Sequence, residues 1–219
     1  MDHGFWHRRW KKNEIGFHEG TVNAYLREHW PDLALDGSET VFVPLCGKAH
    51  DLWWLHERGH TVLGVELSDI ACRDFFAEAA VTPRETPGPA FRIFRHEALQ
   101  LWCGDFFHLR PEDLHGVSLV YDRAALIALP PTMRGNYARH LKTLLPTEVS
   151  MLLVTLDYPE GQIAGPPFNV GDAEVEALYG DDFAVERRFH RPLPQDDDFA
   201  RRRGLSGASE SVFRITRRP

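Results

Sequence analysis

The sequence predicts an α/β fold, with a mostly parallel sheet and helices on both of its faces. Short apolar and β-branched runs alternate with helical segments over most of the 219 residues, which is typical of βαβ units. A chain of this length with 43% hydrophobic residues can bury a complete α/β core. The segment from Val41 to Glu66 is the clearest single indication, because it has the pattern of a full βαβ unit.

This unit starts with the strand Val41–Val43, which the loop Pro44–Lys48 interrupts. Residues 51–58 have the pattern of a helix that ends at a glycine, and the next strand, Thr61–Val65, stops at Glu66. Strand, tight loop, helix and acid-terminated strand follow one another in this order in nucleotide-binding units.

Glu66 follows the loop glycine, Gly47, by about 20 residues, the spacing at which an acid accepts the hydroxyl hydrogens of a ribose. Gly47 is the only glycine of the loop, whereas a pyrophosphate needs several close backbone approaches. The pattern therefore favours an adenosyl ligand without phosphates over a dinucleotide. The alternative is an ordinary turn followed by a surface glutamate.

The remaining elements follow from periodicity and from capping, proline or glycine signals. The predicted helices cover residues 21–30, 68–79 with Ser68 as the N-cap, 131–145 and 172–179. The predicted strands cover residues 91–94, 99–102, 117–121, 149–156, 183–189 and 211–216. Residues 82–89 and 191–210 are predicted to be loops, so that the last two strands pair antiparallel.

Ligands of such sheets bind beyond the carboxyl ends of the strands. That rule selects the residues that end the predicted strands: 44–47, Glu66, 104–106, Asp122, Arg123 and Asp157.

Composition excludes several classes of partner. A formal charge of −7 argues against general nucleic-acid binding, and no apolar run approaches the roughly 18 residues that a membrane span needs.

The sequence starts without a signal-peptide pattern, so we expect a cytoplasmic protein. Its three cysteines form no C-x-x-C pair and its histidines are scattered, so we predict free thiols and no metal. A monomer is the default expectation.

Residues 1–20 form an arm in which aromatic and basic residues alternate, including Trp6, Trp10 and Phe17. Three interpretations are open for this arm: a nucleic-acid contact, a membrane-surface helix, or a lid that covers a ligand. Residues 21–219 are predicted to form a single domain.

Five motifs resemble those of the thiopurine S-methyltransferase family, and the resemblance runs from about Trp6 to Ile215. They are Val43–Ala49, Arg58–His60, Gly64–Glu66, Asp122–Leu126 and Gly165–Phe168. The Pro-Leu-Cys-Gly-Lys block is specific, since ordinary class I methyltransferases carry a glycine-rich loop there. The length and the arm are similar to those of bacterial members.

The resemblance implies a seven-stranded, Rossmann-like class I methyltransferase fold that binds S-adenosylmethionine and releases S-adenosylhomocysteine. The implied small-molecule substrates are aromatic or heterocyclic thiols. The implied cofactor contacts are Trp10, Leu45, Gly47, Glu66, Asp105, Phe106 and Arg123, and Phe17 is implied to line the acceptor pocket. The resemblance also favours the lid interpretation of the arm.

Methyl transfer from a sulfonium is an in-line displacement, so alignment of the reacting atoms supplies much of the catalysis. A heteroaromatic thiol is partly ionised at neutral pH and needs no strong base. Arg123 is a candidate to pair with the methionine carboxylate or to stabilise the thiolate, and Asp122 is a weaker candidate for a general base. The alternatives are methylation of selenium or tellurium species, a nicotinamide oxidoreductase, and a non-enzymatic protein that binds an adenosyl ligand.

Overall fold

The computed structural model describes residues 3–33 and 35–218. These residues belong to two compact units. The first comprises Met1–Tyr121 with Leu144–Pro146, and the second Asp122–Thr143 with Thr147–Pro219.

The first unit is an α/β layer built on a mostly parallel sheet. Its strands are β1 (Thr40–Val43), β2 (Thr61–Glu66), β3 (Arg84–Thr86), β4 (Arg92–His96), β5 (Leu99–Cys103) and β6 (Val117–Arg123), whose last two residues belong to the second unit. Its helices are α1 (His3–Lys11), α2 (Ala24–His29), α3 (Asp51–His56) and α4 (Asp69–Glu78), with short 3-10 turns at Trp30–Leu33, Phe106–His108 and Pro111–Leu114.

The strands of this unit lie in the order β3-β4-β5-β2-β1-β6. The pairs β1·β2, β1·β6 and β2·β5 are parallel, and β3 and β4 add an antiparallel edge. In this arrangement β2 and β5 end side by side, because Glu66 pairs with Cys103 and the Gly104 N–H donates to the Glu66 carbonyl at 2.9 Å.

Gly64, in the middle of β2, is closely surrounded by neighbouring side chains. A Cβ on Gly64 would lie 2.5 Å from Leu101 Cδ2 and 2.8 Å from both Cys46 Sγ and Leu52 Cδ2. Only glycine therefore lets the loop after β1, helix α3 and strand β5 approach this strand together.

The second unit contains an antiparallel layer. Strands β7 (Ser150–Asp157), β8 (Phe183–Pro192) and β9 (Ser209–Arg217) lie in the order β7-β9-β8, and both pairs are antiparallel. The helices are α5 (Ala125–Ala128), α6 (Pro131–Leu144), whose last residue belongs to the first unit, α7 (Asp172–Tyr179) and α8 (Asp198–Arg203). A buried cluster of Leu156, Tyr158, Ala200, Leu205 and Ala208 packs α8 against the end of β7.

The predicted α/β class is confirmed, and so are the βαβ unit, the N-cap Ser68 and the antiparallel pairing of the last two strands. Ser68 accepts a hydrogen bond from the Ala71 N–H at 3.4 Å. The described residues form nine strands, where the resemblance implies seven.

Two segments predicted to be loops contain regular structure. Residues 82–89 hold β3, and residues 191–210 hold α8, which the N-cap Asp197 starts by accepting from two backbone N–H groups. The separation of residues 1–20 from one domain over residues 21–219 stays a prediction. Within the described part of the chain, no helix combines the length and hydropathy needed to cross a membrane.

Candidate active site

The loop between β1 and α3 has a strained and tightly anchored backbone. Leu45 and Gly47 both adopt left-handed conformations, with φ of 47° and 56°. For a leucine this conformation costs about 1–3 kcal/mol, and such residues concentrate at functional sites. The Cys46 N–H donates to the Val65 carbonyl at 3.0 Å, so the loop is fixed to the end of β2.

Glu66, the last residue of β2, is buried with 7% of its surface exposed. Its Oε2 accepts from the Gly47 N–H at 2.9 Å, and its Oε1 accepts from the Ser68 N–H at 2.7 Å. Burial raises the pKa of Glu66 to about 7, although these backbone donors act in the opposite direction. A carboxylate offers about four acceptor positions, so the bonds from these backbone groups leave acceptor capacity for a ligand.

The arm lies over this loop. Trp10, on α1, is 5% exposed, and a Cβ on Gly47 would lie 3.4 Å from its indole Cζ2. The Trp10 ring packs edge-to-face on Phe17 with centroids 5.5 Å apart, and Phe17 packs in the same way on Trp6 at 5.7 Å. The structure therefore brings Trp10 and Phe17 together beside Gly47.

Asp105 and Phe106 follow the end of β5, next to the end of β2. The Asp105 side chain accepts from the Phe107 N–H at 2.9 Å, and its other oxygen lies 3.1 Å from His3 Nε2 on the arm. Phe106 is buried. The arm thus contacts residues that follow β1 and β5, the two strands on either side of β2.

Asp122 and Arg123 belong to the second unit. Asp122 is fully buried, and its carboxylate accepts from the Tyr137 hydroxyl at 2.7 Å and from the Leu126 N–H at 3.3 Å. Burial raises the pKa of Asp122 to about 6. Arg123 is half-buried, and the next residue, Ala124, has a left-handed φ of 64°.

Sequence reasoning missed two contacts of this site. Ser68 was predicted only as a helix cap, yet its backbone N–H also holds Glu66, and its position two residues after the acid was the available signal. The pairing of His3 with Asp105 joins residues far apart in the chain, and no local pattern indicates it.

The three thiols are free, as predicted, and Cys46 and Cys72 are buried. In the part of the chain that the structure describes, no group of three or more histidine, cysteine or acidic side chains is placed to hold a metal ion.

Comparison with known proteins identifies the family. The family described as Thiopurine S-methyltransferase matches residues 1–218. The chain belongs to the thiopurine S-methyltransferase family. Similar relatives named thiopurine S-methyltransferase include one from Marinobacter nauticus, 57% identical with all of both chains covered. Another, from Pseudomonas fluorescens, is 49% identical over 98% of this chain and 99% of its own length.

Solved structures show the same fold at low identity. A methyltransferase dependent on S-adenosylmethionine from Anabaena variabilis is 13% identical, with a TM-score of 0.70 over 99% of this chain and 95% of its own. The magnesium protoporphyrin IX methyltransferase of Synechocystis, crystallised with S-adenosylhomocysteine, is also 13% identical, with a TM-score of 0.65 over 99% of this chain and all of its own. The predicted Rossmann-like class I fold is confirmed.

Family membership also confirms that the chain is an enzyme, a methyltransferase whose cofactor is S-adenosylmethionine. The described residues fit this cofactor. Glu66 offers a buried carboxylate with acceptor positions left over, which suits the two ribose hydroxyls. The loop beside it has a single glycine and a closely packed indole, which suits a ligand without phosphates.

Proposed function

We propose that this protein transfers the methyl group of S-adenosylmethionine to the sulfur of aromatic or heterocyclic thiols, thiopurines among them. The observation that carries this proposal is the buried Glu66, which is bonded to the loop of Gly47 beneath the indole of Trp10. The curated relatives that match 100% and 98% of the chain, at 57% and 49% identity, are named for this activity.

Glu66 accepts the two ribose hydroxyls through charge-assisted hydrogen bonds, which are stronger than neutral ones. The Gly47 and Ser68 N–H groups hold its carboxylate in one orientation, so the acceptor is arranged before the cofactor arrives. Leu45 and Gly47 present backbone groups other than the Gly47 N–H to the methionine end, from a turn in which both residues are left-handed.

Asp105 and Phe106 form the adenine end of the site. Phe106 supplies a buried apolar surface for the ring, and the Asp105 carboxylate can accept from its exocyclic amine. The 3.1 Å contact of Asp105 with His3 supports a link between this end and the arm.

The arm, residues 1–20, acts as a lid. Trp10 covers the loop of Gly47, and Phe17 lines the acceptor pocket from its place against the Trp10 ring. A closed lid excludes water from the site and orders the acceptor. The aromatic contacts of Trp6, Trp10 and Phe17 support this role, because they let the arm close as one packed unit.

Arg123 pairs with a carboxylate of the cofactor or stabilises the thiolate of the acceptor, since its planar guanidinium suits both anions. Asp122 has the weaker claim to be a general base. Its bond to the Leu126 N–H closes the turn that follows Arg123, and this supports a positioning role for it. The Tyr137 hydroxyl holds the second oxygen of the same carboxylate.

When bound, the cofactor supplies an electrophilic methyl group on a positively charged sulfur. The residues of this chain orient it, exclude water and align the thiol sulfur opposite the leaving group. A heteroaromatic thiol ionises near neutral pH, so the reaction needs no metal, and treatment with EDTA should leave the rate unchanged. We also infer a cytoplasmic protein without nucleic-acid or membrane partners, which the net charge of −7 and the free thiols support. A monomer is the default inference.

A panel of thiopurines, thiophenols, alkyl thiols, and selenium and tellurium oxyanions, each with S-adenosylmethionine, tests this function. We expect methylated product from the aromatic and heterocyclic thiols at rates far above those of the alkyl thiols. Product only from selenium or tellurium species would overturn the proposed acceptor class. Binding of S-adenosylhomocysteine without turnover on any acceptor would overturn the enzymatic proposal.

A further inference from the structure

An open cleft of about 520 Å³ lies in the first unit, between α2 and α3. Its lining residues are Gly20, Thr21, Val22, Arg27, His50, Trp54 and Arg58, and none of them is among the candidate cofactor or acceptor contacts. Pockets of roughly 300–1,000 Å³ take whole small molecules rather than single ions.

The lining is cationic although the protein carries a formal charge of −7. Arg27 and Arg58 both reach the cleft, and within the described ranges, 3–33 and 35–218, neither forms an ion pair with a carboxylate. Exposed arginines elsewhere do form such pairs: Arg73 with Glu85, Arg92 with Asp69, and Arg191 with Glu210. No acidic side chain lines the described cleft. The two guanidinium groups are therefore available to an external anion.

The two helices beside the cleft are joined by hydrogen bonds. Asp51, the first residue of α3, accepts from the Asn23 N–H at 2.7 Å and from the Tyr121 hydroxyl at 3.1 Å, so the start of α2 is tied to the start of α3. The Arg58 guanidinium lies 3.5 Å above the Trp54 ring, and its Nη1 donates to the Trp54 carbonyl at 3.4 Å. This stacking orients the guanidinium, which reduces the entropy lost when it binds an anion.

We propose that this cleft binds the phosphate group of a small metabolite. The guanidinium groups of Arg27 and Arg58 line the same cleft, and each can match paired oxygens of phosphate, because Arg–phosphate contacts are commonly bidentate. Thr21 and His50 add a hydroxyl and an imidazole to the same wall. The volume leaves room for the organic part of a phosphate monoester beside the anion.

Calorimetry on the full-length protein, with S-adenosylhomocysteine saturating so that the cofactor site is filled, provides the test. The probes are inorganic phosphate and ribose 5-phosphate, with ribose as the uncharged control. Gly20 gives a sharp variant, because a Cβ there meets nothing within 4 Å. Gly20→Glu places a carboxylate in the cleft, where it can pair with the arginines in place of the ligand.

Gly135→Glu is the matched control. It makes the same change of charge on α6, and a Cβ on Gly135 also meets nothing within 4 Å. Two further variants separate charge from geometry: Arg27→Gln removes a cation, and Arg58→Lys keeps the charge but loses the planar, stacked donor. Affinity for S-adenosylhomocysteine serves as the fold check for every variant.

We expect phosphate-bearing probes to bind and ribose to give no heat. Gly20→Glu, Arg27→Gln and Arg58→Lys should each weaken binding at least tenfold, and Gly135→Glu should leave it unchanged. Tighter binding of ribose 5-phosphate than of phosphate supports a phosphate monoester as the occupant, and equal binding overturns the metabolite in favour of the free ion. Absence of binding to both probes, or equal weakening in Gly20→Glu and Gly135→Glu, overturns the proposal.

Discussion

The Glu66→Gln substitution tests how the buried acid binds the cofactor. Ionised Glu66 offers the ribose two charge-assisted hydrogen bonds. Glutamine has nearly the same volume but a single accepting oxygen, and its NH2 group cannot accept from either of the backbone N–H groups that hold the carboxylate. Losing the charge should cost about 1.5–3 kcal/mol, which is roughly a tenfold to hundredfold loss of affinity for S-adenosylhomocysteine. The fold should survive, because the substitution opens no cavity.

The pKa of Glu66 determines how the affinity for S-adenosylhomocysteine should change with pH. Burial raises the pKa of Glu66 to about 7 in the free protein, and ribose hydroxyls that donate to the carboxylate favour its ionised form. Binding should therefore reach full strength above pH 7 and weaken as the pH falls through 7. Well below that pH the loss should approach tenfold per unit, since one pKa unit corresponds to about 1.4 kcal/mol.

Calorimetric titration with S-adenosylhomocysteine across the range from mildly acidic to mildly alkaline pH measures both effects. We expect a pH-dependent affinity for the natural chain and a flat profile for Glu66→Gln, so that the two differ most at alkaline pH. Glu148→Gln, at an exposed position, is the control and should behave as the natural chain does. Parallel profiles, or unchanged affinity in folded Glu66→Gln, would refute the reasoning.

Three further predictions follow from other parts of the chain. Deletion of residues 1–20 should weaken S-adenosylhomocysteine binding and slow turnover because the indole of Trp10 no longer covers Gly47; turnover at the full-length rate would show that the arm merely packs. Gly64→Ala should destabilise the protein by about 1–3 kcal/mol in urea unfolding, since the new methyl group overlaps Leu101 and Cys46; unchanged stability would contradict that packing. Asp122→Asn should make thermal stability less pH-dependent. Burial raises the pKa of Asp122 from 3.8 to about 6. Its contribution to the free energy of unfolding is therefore complete below pH 3.8 and is lost as the pH rises through about 6. If the thermal stability of Asp122→Asn depends on pH as that of the natural chain does, Asp122 does not titrate in this way.

The βαβ unit was predictable because its signals are local. The apolar runs, the glycine that follows α3 and the acid that ends β2 all lie within residues 41–66, and each constrains its own neighbours in the chain. Parallel pairing then places the loop after β1 beside the end of β2, and this is how Glu66 comes to face the backbone of Gly47.

Two elements were missed because their signals are weak. Strand β3 is three exposed residues long, contains no apolar residue and lies between prolines, so it depends on pairing with β4 rather than on its own pattern. Helix α8 is six residues long and carries three consecutive arginines, so its few apolar residues form no recognisable helical pattern in the sequence. In both cases tertiary contacts decide the local structure.

The packing of the arm could not be derived from the sequence alone. The alternation of aromatic and basic residues predicted that residues 1–20 are functional, but not what they contact. The approach of Trp10 to Gly47 and of His3 to Asp105 joins positions that are distant in the chain. Such long-range contacts depend on the order of the strands, which no local periodicity encodes.

Single-turnover methyl transfer tests the central claim most directly. The full-length protein, loaded with S-adenosylmethionine that carries an isotopic label on its methyl group, is mixed with a thiopurine, and mass spectrometry follows the product. We expect an S-methylated thiopurine that carries the label, formed with one equivalent of S-adenosylhomocysteine, and slower formation in Glu66→Gln at subsaturating cofactor. Formation of S-adenosylhomocysteine without labelled thioether, or no reaction with any aromatic thiol, would contradict it.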